Sequence, residues 1–130
     1  MDRDQMKGRT LAFGVRIVRL VSSLPSGRIG DVVGRQVLKS GTSIGANYRE
    51  ALRASSRKQF VSILEIAERE ADETLYWLEL IHAAQIMTAD RLADLQQECR
   101  ELLAILTATL RSTKRRQLPT SEIRNPKSEI

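Results

Sequence analysis

The sequence predicts an all-α protein: an antiparallel, up-down-up-down, left-handed four-helix bundle. Residues that favour helices are abundant among its 130 residues, whereas there are only 7 Gly and 3 Pro. Apolar side chains recur every three or four residues in four long segments, which is the spacing of helices that pack side by side. We expect the bundle to span residues 1–111 and residues 112–130 to form a basic, disordered tail.

The first predicted helix runs from about Lys7 to Ser23 and carries two apolar stripes. One consists of Leu11, Val15 and Val18, and the other of Phe13, Ile17, Leu20 and Leu24. So wide an apolar arc buries more than one side of a helix. Either neighbouring helices flank it, or a second subunit covers the outer stripe.

The second predicted helix begins near Asp31, taken as its N-cap, and reaches Ala54. Gly34, Gly41 and Gly45 share one side of it, and each costs about 1 kcal/mol relative to Ala. The cost is offset where a neighbouring helix crosses closely, so we expect tight packing there. The alternative is that Gly41 breaks the helix in two.

The third predicted helix starts after Ser56, which forms a capping box with Gln59, and runs to Ala84. Its seam consists of Phe60, Leu64, Ala67, Ala71, Thr74, Leu78 and Ile81. Glu70 and Glu73 lie in a second stripe. If that stripe is buried, the two carboxylates need partners, and Arg49, Arg53 or Asn47 are the candidates.

Thr88 is predicted to cap the fourth helix, whose seam consists of Leu92, Leu95, Cys99, Leu102, Leu106 and Leu110. Cys99, on that stripe, is expected to be a buried apolar group. One cysteine cannot form an intrachain disulfide, which favours a reducing compartment. Arg16 and Arg19 interrupt the early apolar segment, so we expect no signal peptide, and no segment is apolar enough to span a membrane. The predicted location is the cytoplasm.

Charge is distributed unevenly along the chain. The net charge is +8 over residues 1–58, −6 over residues 59–111 and +3 over residues 112–130. A basic half could lie against an acidic half, within or between subunits. Alternatively, the basic half forms a face for a polyanion such as RNA.

Cations near the start of the third helix are the candidate anion-binding group, because free backbone N–H groups lie at the same place. The full candidate surface consists of Arg16, Arg19, Arg35, Lys39, Arg49, Arg53, Arg57 and Lys58. Aromatic residues make up only 4% of the chain, which argues against base stacking. Binding is therefore expected to be directed mainly at the nucleic-acid backbone.

The run Ser43-Ile44-Gly45-Ala46-Asn47-Tyr48-Arg49-Glu50, with Glu70, Glu73 and Trp77 downstream, resembles the 23S rRNA intervening-sequence protein family, also called the S23 ribosomal protein family. The resemblance covers about Arg9 to Leu110. It implies a left-handed bundle that forms ring-like homopentamers. From the residues themselves we also predict a structural polar seam of Asn47, Glu50, Glu70 and Glu73 between the second and third helices. Related accessory proteins of retroelements bind a reverse transcriptase and nucleic acid. The chain departs from the family at Tyr48-Arg49-Glu50-Ala51, where many members have Ile-Ala-Glu-Gly.

No catalytic constellation is predicted. Glu79 and His82 have the Glu-x-x-His spacing of di-iron bundles, but such a site needs a second His, and the chain has one. Glu70 and Glu73 lack a companion nucleophile. We predict no metal, no cofactor and no enzymatic activity. The predicted function is that of an oligomeric protein binding RNA or a ribonucleoprotein through its basic half; the alternative is a protein–protein adaptor.

Overall fold

The computed structural model describes residues 1–117, all helical apart from short connections. The helices are α1 (Arg3–Ser22), α2 (Arg28–Leu52), α3 (Arg57–Ala83) and α4 (Ala89–Gln117). Each packs against the next along the chain, and α4 returns to α1. The predicted all-α four-helix bundle is confirmed, while its left-handed twist stays a prediction.

Contacts between helices show that neighbours are antiparallel. A Cβ atom built on Gly41 would lie 2.7 Å from Ile17 Cγ1, and one on Gly45 would lie 3.2 Å from Thr10 Oγ1. Along this interface, residue numbers therefore increase in α2 as they decrease in α1, so the two helices are antiparallel. The close approach predicted for these glycines is present, and α2 is continuous, so Gly41 does not break it.

The predicted seams form the core. Ile44, Leu64, Leu78, Ile81 and Leu106 are all fully buried, as are most other seam residues. The exception in α3 is Phe60, which is only partly buried and packs at the margin of the core. Because each helix contributes a stripe at heptad-like spacing, one continuous core runs the length of the bundle.

Both early helices begin before the predicted positions. α1 starts at Arg3 because the Asp2 carboxylate accepts from the Gln5 backbone N–H, while the Gln5 side chain accepts from the Asp2 N–H, forming a capping box. α2 starts at Arg28 after Gly27, whose φ of 129° few other residues adopt. Asp31 is thus not the N-cap; it lies in the first turn, where its charge suits the helix dipole.

The cap of α3 is partly as predicted. The Ser56 hydroxyl accepts from the Gln59 N–H at 3.0 Å, but the Gln59 side chain accepts from Ser55 instead of Ser56. Ahead of α4, a hydrogen bond to the Thr88 side chain lowers the pKa of Asp90.

The last helix continues beyond the predicted end of the bundle at residue 111. Thr113 is buried, and Lys114 Nζ lies 2.8 Å from Glu65 Oε2 on α3. Cations in a last helical turn also interact favourably with the helix dipole, which helps these residues remain helical. Of the predicted disordered tail, residues 118–130 lie outside the described part of the chain, and their disorder stays a prediction.

Candidate nucleic-acid interface

The bundle has a basic layer, α1 and α2. In the layer that α3 and α4 form, residues 59–111 carry a net charge of −6, and we call this stretch the acidic layer. Arg9 joins the two: its guanidinium donates to both Glu98 carboxylate oxygens, at 2.7 and 2.6 Å, and to Glu101 at 2.7 Å. These bonds raise the pKa of Arg9 and lower that of Glu101. In the part of the chain that the structure describes, no other ion pair connects the layers. Ion pairing among these described residues therefore leaves most of the basic layer's charge available.

Four predicted cations form a row along α2, which we call the α2 row: Arg35, Lys39, Arg49 and Arg53. Their spacing places them on one side of the helix. All four are exposed, and Arg53 lies just after the last turn of the helix. At 1.5 Å per residue the row is about 27 Å long. It is the most extended part of the predicted basic face.

The remaining predicted cations lie elsewhere. Arg16 and Arg19 line a small cleft between α1 and α4 together with Arg91. That cleft is on the side of α1 opposite to α2, so these arginines do not extend the α2 row. The eight predicted residues therefore do not form one compact patch, because the antiparallel packing distributes them around the basic layer and its ends.

At the end of the bundle, Arg57 lines a cleft with Arg3 and Arg116, whereas the exposed Lys58 is not part of its lining. The sequence analysis missed Arg3 and Arg116. An antiparallel bundle brings the beginnings of α1 and α3 and the end of α4 together. The basic residues at these three helix ends were the signal that could have found them.

An apolar stripe separates Arg16 and Arg19 from the α2 row. Leu11, Val15 and Val18 are 56%, 41% and 47% exposed. With Thr42 and Ala46 of α2 they line a groove of about 390 Å³, which we call the α1–α2 groove. No helix of the described chain covers this stripe, so the first alternative for the wide arc of α1 does not hold.

The polar seam does not pair as predicted within the chain. Asn47 donates to the Ser43 carbonyl, and the exposed Glu73 accepts from Trp77 Nε1 at 3.1 Å. Glu50 is also exposed. These groups lie at the margin of the α2–α3 interface, where water satisfies charges that a core would not.

Glu70 is half-buried, and neither Arg49 nor Arg53 lies within ion-pairing distance of it. Burial, reinforced by the charge of Glu73, raises the pKa of Glu70, although Lys39 and Arg69 oppose this. The expected arginine partner is therefore replaced by two more distant cations.

The other features to consider among residues 1–117 are metal ligands, the single cysteine and the apolar character of the helices. They contain no group of three or more His, Cys, Asp or Glu side chains arranged to hold a metal. Cys99 is buried with its Sγ 3.3 Å from the Ala71 carbonyl oxygen, and burial raises its pKa to about 12. None of the described helices is long and apolar enough to cross a membrane.

The arrangement of four helices agrees with what comparisons with known proteins find. The model of the 23S rRNA-intervening sequence protein family matches residues 5–108. The chain belongs to this family. The family match includes the residues of the α1–α2 groove and the whole α2 row, so both surfaces lie within the matched part of the chain.

A solved member of this family has the same fold. It is a protein of unknown function from the S23 ribosomal protein family of Bacteroides thetaiotaomicron, 40% identical to this chain, with a TM-score of 0.76. The alignment covers 81% of this chain and 97% of the Bacteroides chain. No curated protein matches closely enough to count as a relative.

Proposed function

We propose that this protein is a non-enzymatic homo-oligomer that binds RNA or a ribonucleoprotein through its basic layer. One observation carries the proposal: Arg9 is the cation of this layer that forms ion pairs with the acidic layer in the described chain. The remaining positive charge attracts a polyanion, and phosphate contacts release its counterions. RNA binding would place the protein in the cytoplasm, as the sequence analysis predicts.

The α2 row is the part of the layer best shaped for a nucleic-acid backbone. A structured RNA should bind at low salt, with an affinity that falls steeply as salt rises. Replacing Arg35 and Lys39 together with Gln should reduce the salt slope by up to about 1.8, since each lost phosphate contact contributes about 0.7–0.9. Filter binding at several salt concentrations measures this.

The matched control makes the same charge change on the acidic layer, with Arg69 and Arg100, both exposed, replaced by Gln. It should leave the salt slope nearly unchanged. Absence of binding at low salt, binding that ignores salt, or equal losses in both double variants would each refute the role of the α2 row.

Self-association is the second part of the proposal. The α1–α2 groove leaves three apolar side chains in contact with solvent, and cations flank it on both sides. We propose that a second copy covers the groove and that repetition of this contact closes a ring, a pentamer by the family resemblance.

Oligomeric mass in solution tests the assembly. Leu11→Asp should reduce the mass to that of a monomer, because it places a charge within the buried contact. Ile29→Asp changes another exposed apolar residue, 68% exposed and outside the groove, and should leave the mass unchanged. A wild-type monomer, or equal dissociation in both variants, would exclude assembly through the groove.

The alternative is an adaptor that binds only proteins, and the same apolar groove is the observation that favours it. In an adaptor, the basic layer would serve to pair subunits. Charge reversal by Arg35→Glu with Lys39→Glu separates the two functions. The adaptor hypothesis predicts loss of assembly, whereas the RNA hypothesis predicts an intact oligomer that no longer binds RNA.

A further inference from the structure

The end of the bundle where α1 and α3 begin contains a cleft of about 560 Å³. Arg3, Arg57 and Arg116 line it, and no carboxylate among residues 1–117 does. The ends of α2 and α4 lie at the same place as the two helix beginnings, so their dipoles largely cancel. The arginines therefore determine the charge of the cleft, and it suits an anion.

The three guanidinium groups are held in place without being neutralised. Arg57 Nη1 donates to the Arg116 carbonyl at 3.0 Å, and Arg3 Cζ lies 5.9 Å from the centre of the Phe60 ring. Arg116 Nη2 is 3.4 Å from the Thr113 hydroxyl. A guanidinium has five N–H donors, so most remain available for a ligand. Guanidinium forks match the oxygens of a phosphate.

An independent sign of a ligand is the hydroxyl of Tyr48. Tyr48 lines the cleft and is only 6% exposed, yet its hydroxyl forms no hydrogen bond to any described residue. Buried hydroxyl groups usually have a partner. Burial raises the pKa of Tyr48, so the hydroxyl keeps its proton at neutral pH and can donate it.

The cleft is too large for an inorganic anion alone. Its volume lies within the range of about 300–1,000 Å³ that is typical of sites for organic ligands. Leu52 and Phe60 supply apolar and aromatic walls beside the arginines. A phosphate monoester joined to a flat group, as in a nucleotide, fits this combination of charge, donor and wall.

We propose that this cleft binds the phosphate of a nucleotide, either free or at the end of an RNA strand, through Arg3, Arg57, Arg116 and the Tyr48 hydroxyl. The site lies beyond the end of the α2 row and does not depend on RNA binding by the basic layer. Free AMP is too short to span both surfaces, so it tests the cleft by itself.

Titration calorimetry of the full chain with AMP, adenosine and inorganic phosphate, at low salt, provides the first test. AMP should bind at least tenfold more tightly than adenosine, because adenosine lacks the charged group. It should also bind more tightly than inorganic phosphate, which leaves the apolar walls empty. No AMP binding, or equal binding of AMP and adenosine, would overturn the proposal.

The second test locates the site. Arg57→Gln should weaken AMP binding by about tenfold, and Tyr48→Phe by a few-fold, in line with charged and neutral hydrogen bonds. Lys58→Gln removes the same charge from the adjacent, exposed residue and should have little effect. Equal losses from Arg57→Gln and Lys58→Gln would mean diffuse attraction and would overturn the assignment. If Arg57→Gln does not fold, Arg3→Gln takes its place with the same expected loss.

A third comparison identifies the source of the nucleotide. A short oligoribonucleotide is titrated with and without a 5′-phosphate. If the phosphorylated strand binds more tightly, and Arg57→Gln removes this preference, the proposal is supported and the ligand is the end of a strand. If AMP binds and neither oligoribonucleotide does, the proposal is supported and the ligand is a free nucleotide. Equal binding of both strands, unaffected by Arg57→Gln, together with no AMP binding, contradicts it.

Discussion

The hydroxyl oxygens of Ser40 on α2 and Thr74 on α3 lie 2.9 Å apart in the buried interface between the two helices. Thr74 Oγ1 is also 2.7 Å from the Glu70 carbonyl, and Ser40 Oγ is 3.4 Å from the Val37 carbonyl. Each hydroxyl has one proton, so the pair satisfies itself only as a chain that ends on a helix carbonyl. This contact fixes how α2 and α3 are aligned.

Thr74→Val should lower the free energy of unfolding by about 1–2 kcal/mol, because it leaves the Ser40 hydroxyl without its partner across the interface. Ser40→Ala should cost a similar amount. The double variant should cost clearly less than the sum, since neither hydroxyl is then left unpaired. Urea denaturation of the four proteins measures the coupling, and strictly additive losses would argue against the hydrogen bond.

The sequence placed Thr74 on a buried seam but could not pair it with Ser40. Spacing within a helix determines which face is buried, whereas a contact between two helices depends on their relative alignment along the bundle. Glu70 and Glu73 show the same limit. Their spacing continued an apolar stripe, but in a four-helix bundle such a second stripe lies at a margin, where Glu73 is exposed.

The candidate binding residues also include some that the sequence could predict and some that it could not. The α2 row could be predicted because all its members belong to one helix. The arginines of the end cleft come from α1, α3 and α4, at positions 3, 57 and 116. These arginines lie close together because α1 and α3 begin, and α4 ends, at the same end of the bundle. The predicted bundle ended at residue 111, before Arg116.

Gly41→Ala should destabilise the protein although alanine favours helices. The new methyl group would lie 2.7 Å from Ile17 Cγ1 and 2.9 Å from Cγ2. Overpacking of this kind costs about 1–3 kcal/mol, against a gain of about 1 kcal/mol in helix propensity. Thermal or urea unfolding should show a net loss of up to about 2 kcal/mol.

Gly8→Ala is the control, because nothing lies within 4 Å of its added methyl group. It should stabilise α1 by about 0.5–1 kcal/mol. In an Ile17→Ala background, Gly41→Ala should no longer be harmful, since the clash is removed. Stabilisation by Gly41→Ala in the wild-type background would mean that α1 and α2 are packed less closely than the 2.7 Å approach to Ile17 Cγ1 requires.

The Cys99 thiol should be unreactive in the folded protein. It is fully buried, and burial raises its pKa to about 12, so almost none of it is thiolate at pH 8. A disulfide reagent should label it only when the bundle opens, and immediately in denaturant. Thr74→Val should accelerate labelling as it lowers stability. Rapid stoichiometric labelling of the native protein would show that the α3–α4 interface opens locally.

Glu70→Gln should make the folded protein more stable at neutral pH. Because burial and the Glu73 charge raise the pKa of Glu70, the folded state holds its proton to a higher pH than the unfolded chain does. Stability therefore falls as pH rises above the ordinary carboxyl value of 4.5, and it stays lower once Glu70 is ionised in both states. In the Glu70→Gln variant, this pH-dependent loss of stability should be absent.

Urea denaturation between pH 4 and pH 8 measures the stability of Glu70→Gln. Glu79→Gln, on the exposed side of α3, is a control whose stability should change little. If Glu70→Gln instead destabilised the protein at pH 7, the carboxylate would have a cationic partner. An arginine from another subunit would then supply the pairing that the sequence predicted within the chain.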